Sequence, residues 1–149
     1  SVAINGNYVL VGAYGNDTYT GSVYLYKFSE SGTAGQPDAS FTIDNSLQIF
    51  ASDPDTNDQF GFSVAIYGSY ALVSSRHNDN ATGSAYLYKF SESNTNASFT
   101  IDNSYRILAS DASANDQFGN LVAINRNYVL VGAHMNDVDG DSDAGSANI

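Results

Sequence analysis

A chain of 149 residues is long enough to fold as one domain with a sizeable core, and 42% hydrophobic with 13% aromatic residues sets it apart from disordered segments. Five basic against 16 acidic residues give a formal net charge of -11, which opposes the phosphate contacts that nucleic acids and anionic membranes require and makes cations the natural partners. Cysteine is absent, which excludes disulfides, thiolate nucleophiles and Cys-ligated zinc, and no apolar run reaches the roughly 18 residues of a membrane-inserted helix.

In chain order, SVAINGNYVLVGA at the start predicts two strands, over 2–4 and 8–13. Val9, Leu10 and Val11 form an unbroken apolar run, as expected for a strand covered on both faces. A third strand is predicted over 22–29, where Val23, Leu25 and Lys27 alternate with Tyr24, Tyr26 and Phe28. The aromatic side of that alternation is expected to be buried against a neighbouring sheet. A fourth strand lies within 41–51, and no stretch carries a helical stripe.

The pattern then recurs. The opening motif returns as SVAIYGSYALVSS at Ser63 and as LVAINRNYVLVGA at Leu121. GSVYLYKFSES from Gly21 returns as GSAYLYKFSES from Gly83, ASFTIDNS from Ala39 returns from Ala97, and NDQFG from Asn57 returns from Asn115. Repeats therefore run approximately over 1–62, 63–120 and, in part, 121–149. The one length change, GTAGQPD against NTN, marks an exposed loop. Four strands per repeat make a small sheet that must stack on copies of itself, which is the architecture of a β-propeller blade. The expected fold is all-β, with four-stranded antiparallel blades, about two and a half of them, in an incomplete or oligomer-completed propeller. Further blades from the same chain or from other copies are the expected partners, because propellers close with about four to eight. The residues start and finish inside repeats, which favours a segment of a longer chain.

These motifs resemble the FG-GAP repeats of integrin α-subunit heads. Phe60 with Gly61 and Phe118 with Gly119 match the first half of that pattern; Gly12 with Ala13 and Gly132 with Ala133 match the second. Ser74 and Ser75 replace Gly-Ala in the middle copy, where a local change is expected. The resemblance implies a ring of about seven blades, calcium in blade loops and loop faces presented to ligands. Each Phe is expected to act as an apolar wedge between blades, and the Gly after it to permit close backbone approach.

Asp137, Asp139, Asp141 and Asp143 alternate around Gly140 in NDVDGDSDAG. Oxygen donors at every second position of a turn can converge on a calcium ion, and without a cation such neighbours repel. The corresponding turns of the first two copies keep only Asp17 and Asp79, which are expected to cap the turn through their own backbone. A second acidic loop precedes each Phe-Gly, with Asp53, Asp55, Asn57 and Asp58 in one copy and Asp111, Asn115 and Asp116 in the next. Its recurrence points to hydrogen bonds that shape the turn, with calcium as the alternative. Asn16, Asn80 and Asn96 open glycosylation sequons in predicted loops. His77 and His134 lack partners at metal-site spacing, and no nucleophile-elbow, zinc-protease or phosphate-loop motif occurs, so catalysis is not expected. The expected function is an extracellular or cell-surface adhesion or recognition module, supported by calcium, that presents its loops to a protein or glycan. The alternatives are a structural subunit of a surface filament or sheath, and an accessory propeller segment of a larger secreted enzyme.

Overall fold

The computed structural model describes residues 1–32, 39–93, 98–137 and 141–149; Asp139, Asn96 and most of the length-variable loop fall outside these ranges. Among the described residues the fold is three antiparallel sheets. The first sheet is a meander of β1 (Val2–Asn5), β2 (Tyr8–Ala13), β3 (Ser22–Ser31) and β4 (Ser40–Ile49). The second repeats it with β5 (Phe60–Tyr67), β6 (Tyr70–Ser75), β7 (Ser84–Glu92) and β8 (Phe99–Ile107). The third contains β9 (Phe118–Asn125), β10 (Tyr128–Ala133) and β11 (Ser146–Asn148). Both Phe-Gly pairs therefore belong to the strand that opens the following sheet. The β-bulge after Lys27 in β3 recurs after Lys89 in β7, so even the irregularities repeat.

The alternation in the third strand of each blade decides how the sheets stack. In β3, Val23 and Leu25 point to one side and are fully buried, while Tyr24 and Tyr26 point to the other and are only half covered. In β7 the aromatic side, Tyr86, Tyr88 and Phe90, is 1%, 4% and 2% exposed, because the first sheet lies on it. One core therefore joins Leu10, Val23 and Leu25 of the first sheet to Val64, Ile66, Tyr86 and Tyr88 of the second. A second core joins Leu72 and Ala85 of the second sheet to Val131 and Ala133 of the third. Each blade thus offers an aliphatic face forward and an aromatic or β-branched face backward. Among the described residues the two outermost faces have no sheet against them: Val2 and Ile4 are 75% and 66% exposed at one end, and Leu121 and Leu130 are 70% and 44% exposed at the other.

The joint between blades is built around Phe-Gly, as the sequence suggests. Phe60 and Phe118 are completely buried, and the Phe60 ring meets Tyr86 edge-on at 5.5 Å. The backbone makes the closest approach. Phe60 pairs with Gly21, and Phe118 with Gly83, as isolated parallel bridges. The Phe60 N–H donates to Thr20 O at 3.0 Å and the Gln59 N–H to Tyr19 O at 2.7 Å; Phe118 and Gln117 repeat these bonds to Thr82 O and Ala81 O, each at 2.9 Å. A Cβ on Gly21 would sit 2.7 Å from the Phe60 nitrogen, and one on Gly61 would sit 2.8 Å from Ser22 O, so neither position admits a side chain without moving the blades apart. The departure at Ser74 has a visible consequence: its hydroxyl accepts the Ser63 N–H at 2.9 Å, and the blade is retained.

Candidate functional site

The meander sends each β2–β3 type connector and each linker between blades to the same end of the stack, and the bonds from Gln59 and Phe60 to Tyr19 and Thr20 hold the two together. This end collects Asp17, Asp53, Asp55, Asp58, Asp79, Asp111, Asp116, Asp137, Asp141 and Asp143. Lys27 and Lys89 stand far along β3 and β7 towards the opposite end, where Lys27 bonds Glu92 of the next blade at 2.7 Å. The stack therefore has one strongly acidic loop face.

The connectors are tight left-handed turns, a local structure that no helical stripe would reveal. Asp17, Thr18 and Tyr19 have φ of 47°, 55° and 62°, and Asp79, Asn80 and Ala81 have 52°, 58° and 61°. Such angles cost side-chain-bearing residues roughly 1–2 kcal/mol each, so the turn must be held from outside. The holding residue is the Asn that opens it. Gly21 N donates to Asn16 O and Gly83 N to Asn78 O, both at 2.9 Å. The Asn16 side chain donates to Ser22 Oγ at 3.0 Å, and the Ser84 hydroxyl donates to Asn78 Oδ1 at 2.8 Å. Asp17 and Asp79, expected to cap the turn through their own backbone, accept the Thr20 and Thr82 N–H at 3.0 and 3.2 Å, and the Asn side chain adds a tie that the sequence reading did not name. The Asn and its Ser partner recur in all three copies, at Asn16 and Ser22, Asn78 and Ser84, and Asn136 and Ser146, a signal the sequence did contain.

The linker loops are organised by one buried carboxylate each. Asp58 Oδ2 accepts the Asp55 N–H and the Asn78 side-chain amide, both at 2.9 Å. Asp116 Oδ2 accepts the Ser113 N–H at 2.7 Å and the Asn136 amide at 3.1 Å. Asn57 and Asn115 supply the positive φ that the same turn needs, 70° and 74°. Burial pushes the Asp58 carboxyl above its ordinary range, against the pull of the Asn78 and Asp55 bonds. Asp111 stays exposed.

Between the first linker and the second connector lies a polar concavity of about 410 Å³, lined by Asp53, Asp55, Asp58, His77, Asn78 and Asp79 among others. Its charge is met by Arg106, a residue that sequence reasoning did not single out. The guanidinium bonds Asp53 Oδ2 at 2.9 Å and Ser84 Oγ at 3.0 Å, and also reaches Asn78 and Asp79. Asp53 further accepts the Tyr86 hydroxyl at 2.7 Å, which together with burial pushes that phenol's pKa upward. Asp53 is bonded to Arg106 and Asp58 to the Asn78 amide. No group of three acids or histidines among the described residues is arranged to hold a metal ion.

In the third blade Asp137, Asp141 and Asp143 are exposed, and Asp137 Oδ1 accepts the Asp143 N–H at 2.9 Å. Beside them, Asn136 is 2% exposed, and neither its Oδ1 nor Ser146 Oγ has a partner among the described residues. These two atoms correspond to Asn78 Oδ1 and Ser84 Oγ, which in the second blade bond each other and accept from Arg106. Asn16 and Asn80, the described sequon residues, are both exposed, although the Asn16 amide is engaged by Ser22.

The model of the FG-GAP repeat matches residues 1–26, 46–88 and 103–149. The chain belongs to the FG-GAP repeat family, and its sheets are β-propeller blades. No curated protein matches the chain in sequence.

Proposed function

We propose that this chain is a recognition module that uses its acidic loop face, with calcium ordering the third connector, on an extracellular or cell-surface protein. The observation that carries this reading is the segregation of acids to the end where linkers and connectors meet, which gives the face a field suited to cations and to basic or hydroxyl-rich partners. Calcium is assigned to Asp137, Asp139, Asp141 and Asp143 because they offer hard oxygen donors, because no arginine among the described residues pairs with Asp137, Asp141 or Asp143, and because the neighbouring Asn136 Oδ1 is a buried acceptor without a partner among those residues. The bound ion would draw these carboxylates together and remove their mutual repulsion. Protein or glycan ligands then dock on loops, and catalysis plays no part. Asn80 is the sequon best placed to carry a glycan.

Thermal melts in calcium and in EDTA test the metal, with titration calorimetry as a direct readout. The expected result is a higher Tm in calcium that disappears in Asp141→Asn. An unchanged Tm together with no heat of binding removes calcium from the reading.

A further inference from the structure

Of the five basic residues, Lys27 and Arg106 pair with acids, and Lys89 and Arg126 stand exposed to water. Arg76 differs from all four. It is half-buried at the acidic end of the stack, yet among the described residues no carboxylate pairs with it, in a chain that carries 16 acids. Its guanidinium carbon lies 3.6 Å from the centre of the Phe62 ring. Nε donates to Gln59 Oε1 at 2.9 Å and one terminal nitrogen to Asn120 Oδ1 at 3.5 Å, so its partners are neutral amides. Burial lowers the pKa of Arg76, and the group that opposes this is the Tyr14 phenol. The stack on Phe62 fixes the plane of the guanidinium and leaves most N–H groups of its terminal nitrogens without an acceptor among the described residues.

Aromatic surface adjoins this cation. Tyr14 meets Phe62 edge-on at 5.4 Å and lies 6.3 Å from Tyr19, and the two tyrosines are 39% and 49% exposed. The same place is where the repeats part company. Tyr14, Arg76 and His134 occupy one position of the three copies, immediately after β2, β6 and β10, and Phe62 gives way to Asn120, while the strands around them recur nearly unchanged. A position that varies at the loop end of a uniform scaffold is suited to setting what is bound.

We infer that Tyr14, Tyr19 and Arg76 form a binding site for a carboxylate-bearing sugar, a hexuronate unit of an acidic glycan. The guanidinium takes the carboxylate end-on through its terminal nitrogens, the charge-assisted fork that a planar guanidinium is built to make. The tyrosine rings receive the apolar face of the pyranose, and the side-chain amides of Gln59 and Asn120 meet its hydroxyls. The surrounding acids repel densely charged polyanions, which restricts the site to glycans whose carboxylates are sparse. This inference rests on the glycan arm of the recognition reading and draws nothing from the calcium turn.

The test is NMR titration of the whole chain in EDTA with methyl β-glucuronide and, in parallel, with methyl β-glucoside, which carries a hydroxymethyl group in place of the carboxylate. The glucuronide is expected to shift the Arg76 Nε–H and the signals of Tyr14, Tyr19 and Asn120, with a dissociation constant on the order of a millimolar. The glucoside should bind roughly tenfold more weakly. Arg76→Gln should abolish the preference with the melting temperature maintained, because no acid loses a partner; Arg76→Lys, which keeps the charge without the planar fork, should lose most of it. Tyr19→Ala, which gives the first turn the residue that Ala81 supplies in the second, should weaken both sugars in a folded chain. Equal binding of the two sugars, a preference that persists in Arg76→Gln, unchanged binding in Tyr19→Ala or no shift at these residues would each overturn the inference. A glycan array separates this outcome from that of the broader reading: binding to neutral glycans alone overturns the uronate site and leaves the recognition module standing, and binding to uronate-bearing glycans that is lost in Arg76→Gln supports both.

Discussion

Arg106 does in the second blade what no residue does in the first. Its counterpart in β4 is Gln48, which bonds only the Tyr24 hydroxyl, at 3.0 Å. Removing this partly buried cation leaves Asp53 with the Tyr86 hydroxyl alone and Asn78 Oδ1 with Ser84 alone, so Arg106→Gln should cost about 1–3 kcal/mol and lower Tm by roughly 2–8 °C in a chain of this size, measured by calorimetry. The contact with Asp79 contributes little of this, because Asp79 is 67% exposed on its side chain and solvent screens the pair. Asp58 gives a prediction in pH. Its folded pKa lies above the unfolded value of 3.8, so the native state holds the proton more tightly and gains stability as pH falls through the folded value towards 3.8. Asp58→Asn does not titrate, so its stability relative to the parent chain should be greatest at neutral pH and decline on acidification, as read from paired melts across a pH series. The sequence showed the acids and their recurrence. It concealed Arg106, since the second copy alone carries it and its partners lie two loops away, and it pointed to Asp17 and Asp79, whose carbonyls do close the turn, but not to the neighbouring Asn that ties it to the next strand.

At the scale of strands and joints, the repeat unit and its period-2 alternation were legible in β3 and β7; the expected burial of the aromatic side holds in β7, where the first sheet lies on it, and fails in β3, where Tyr24 and Tyr26 lie on the outer face. The strand limits were less clear: β1 reaches Asn5, β3 runs on to Ser31 beyond the bulge, β4 opens at Ser40, and β5 and β9 open at Phe60 and Phe118, ahead of the repeat bounds at 63 and 121. The left-handed connectors were not legible, since nothing in Thr18, Tyr19 or Ala81 favours positive φ and only the closing bonds impose it. The joints allow a paired prediction. Gly12→Ala should destabilise the chain by about 1–3 kcal/mol through overpacking against the Gly61 carbonyl group, and Gly132→Ala, whose Cβ would meet nothing closer than Leu121 O at 3.8 Å, should stay within about 0.5 kcal/mol of neutral, both by denaturant melts. Phe60→Ala, which removes a fully buried ring from the first joint, should cost about 3–5 kcal/mol. Its larger effect should be on cooperativity, because blades that touch only their neighbours separate where the joint is weakest.

For the molecule as a whole, a net charge of -11 concentrated on one face means that the folded state works against its own repulsion. Raising sodium chloride from low ionic strength to about 0.15 M, where the screening length falls to about 8 Å, should raise Tm. A fall instead would show that the Arg106 and Lys27 pairs outweigh the repulsion. The joint between blades occurs in two copies, each made chiefly of main-chain carbonyls, glycines and one ring. A coupling that consults so little of its neighbour's side-chain identity makes blades interchangeable parts. A unit could be duplicated, deleted or reordered in such a gene without redesigning the surfaces between units, leaving the loops free to diverge while the stack stays in register.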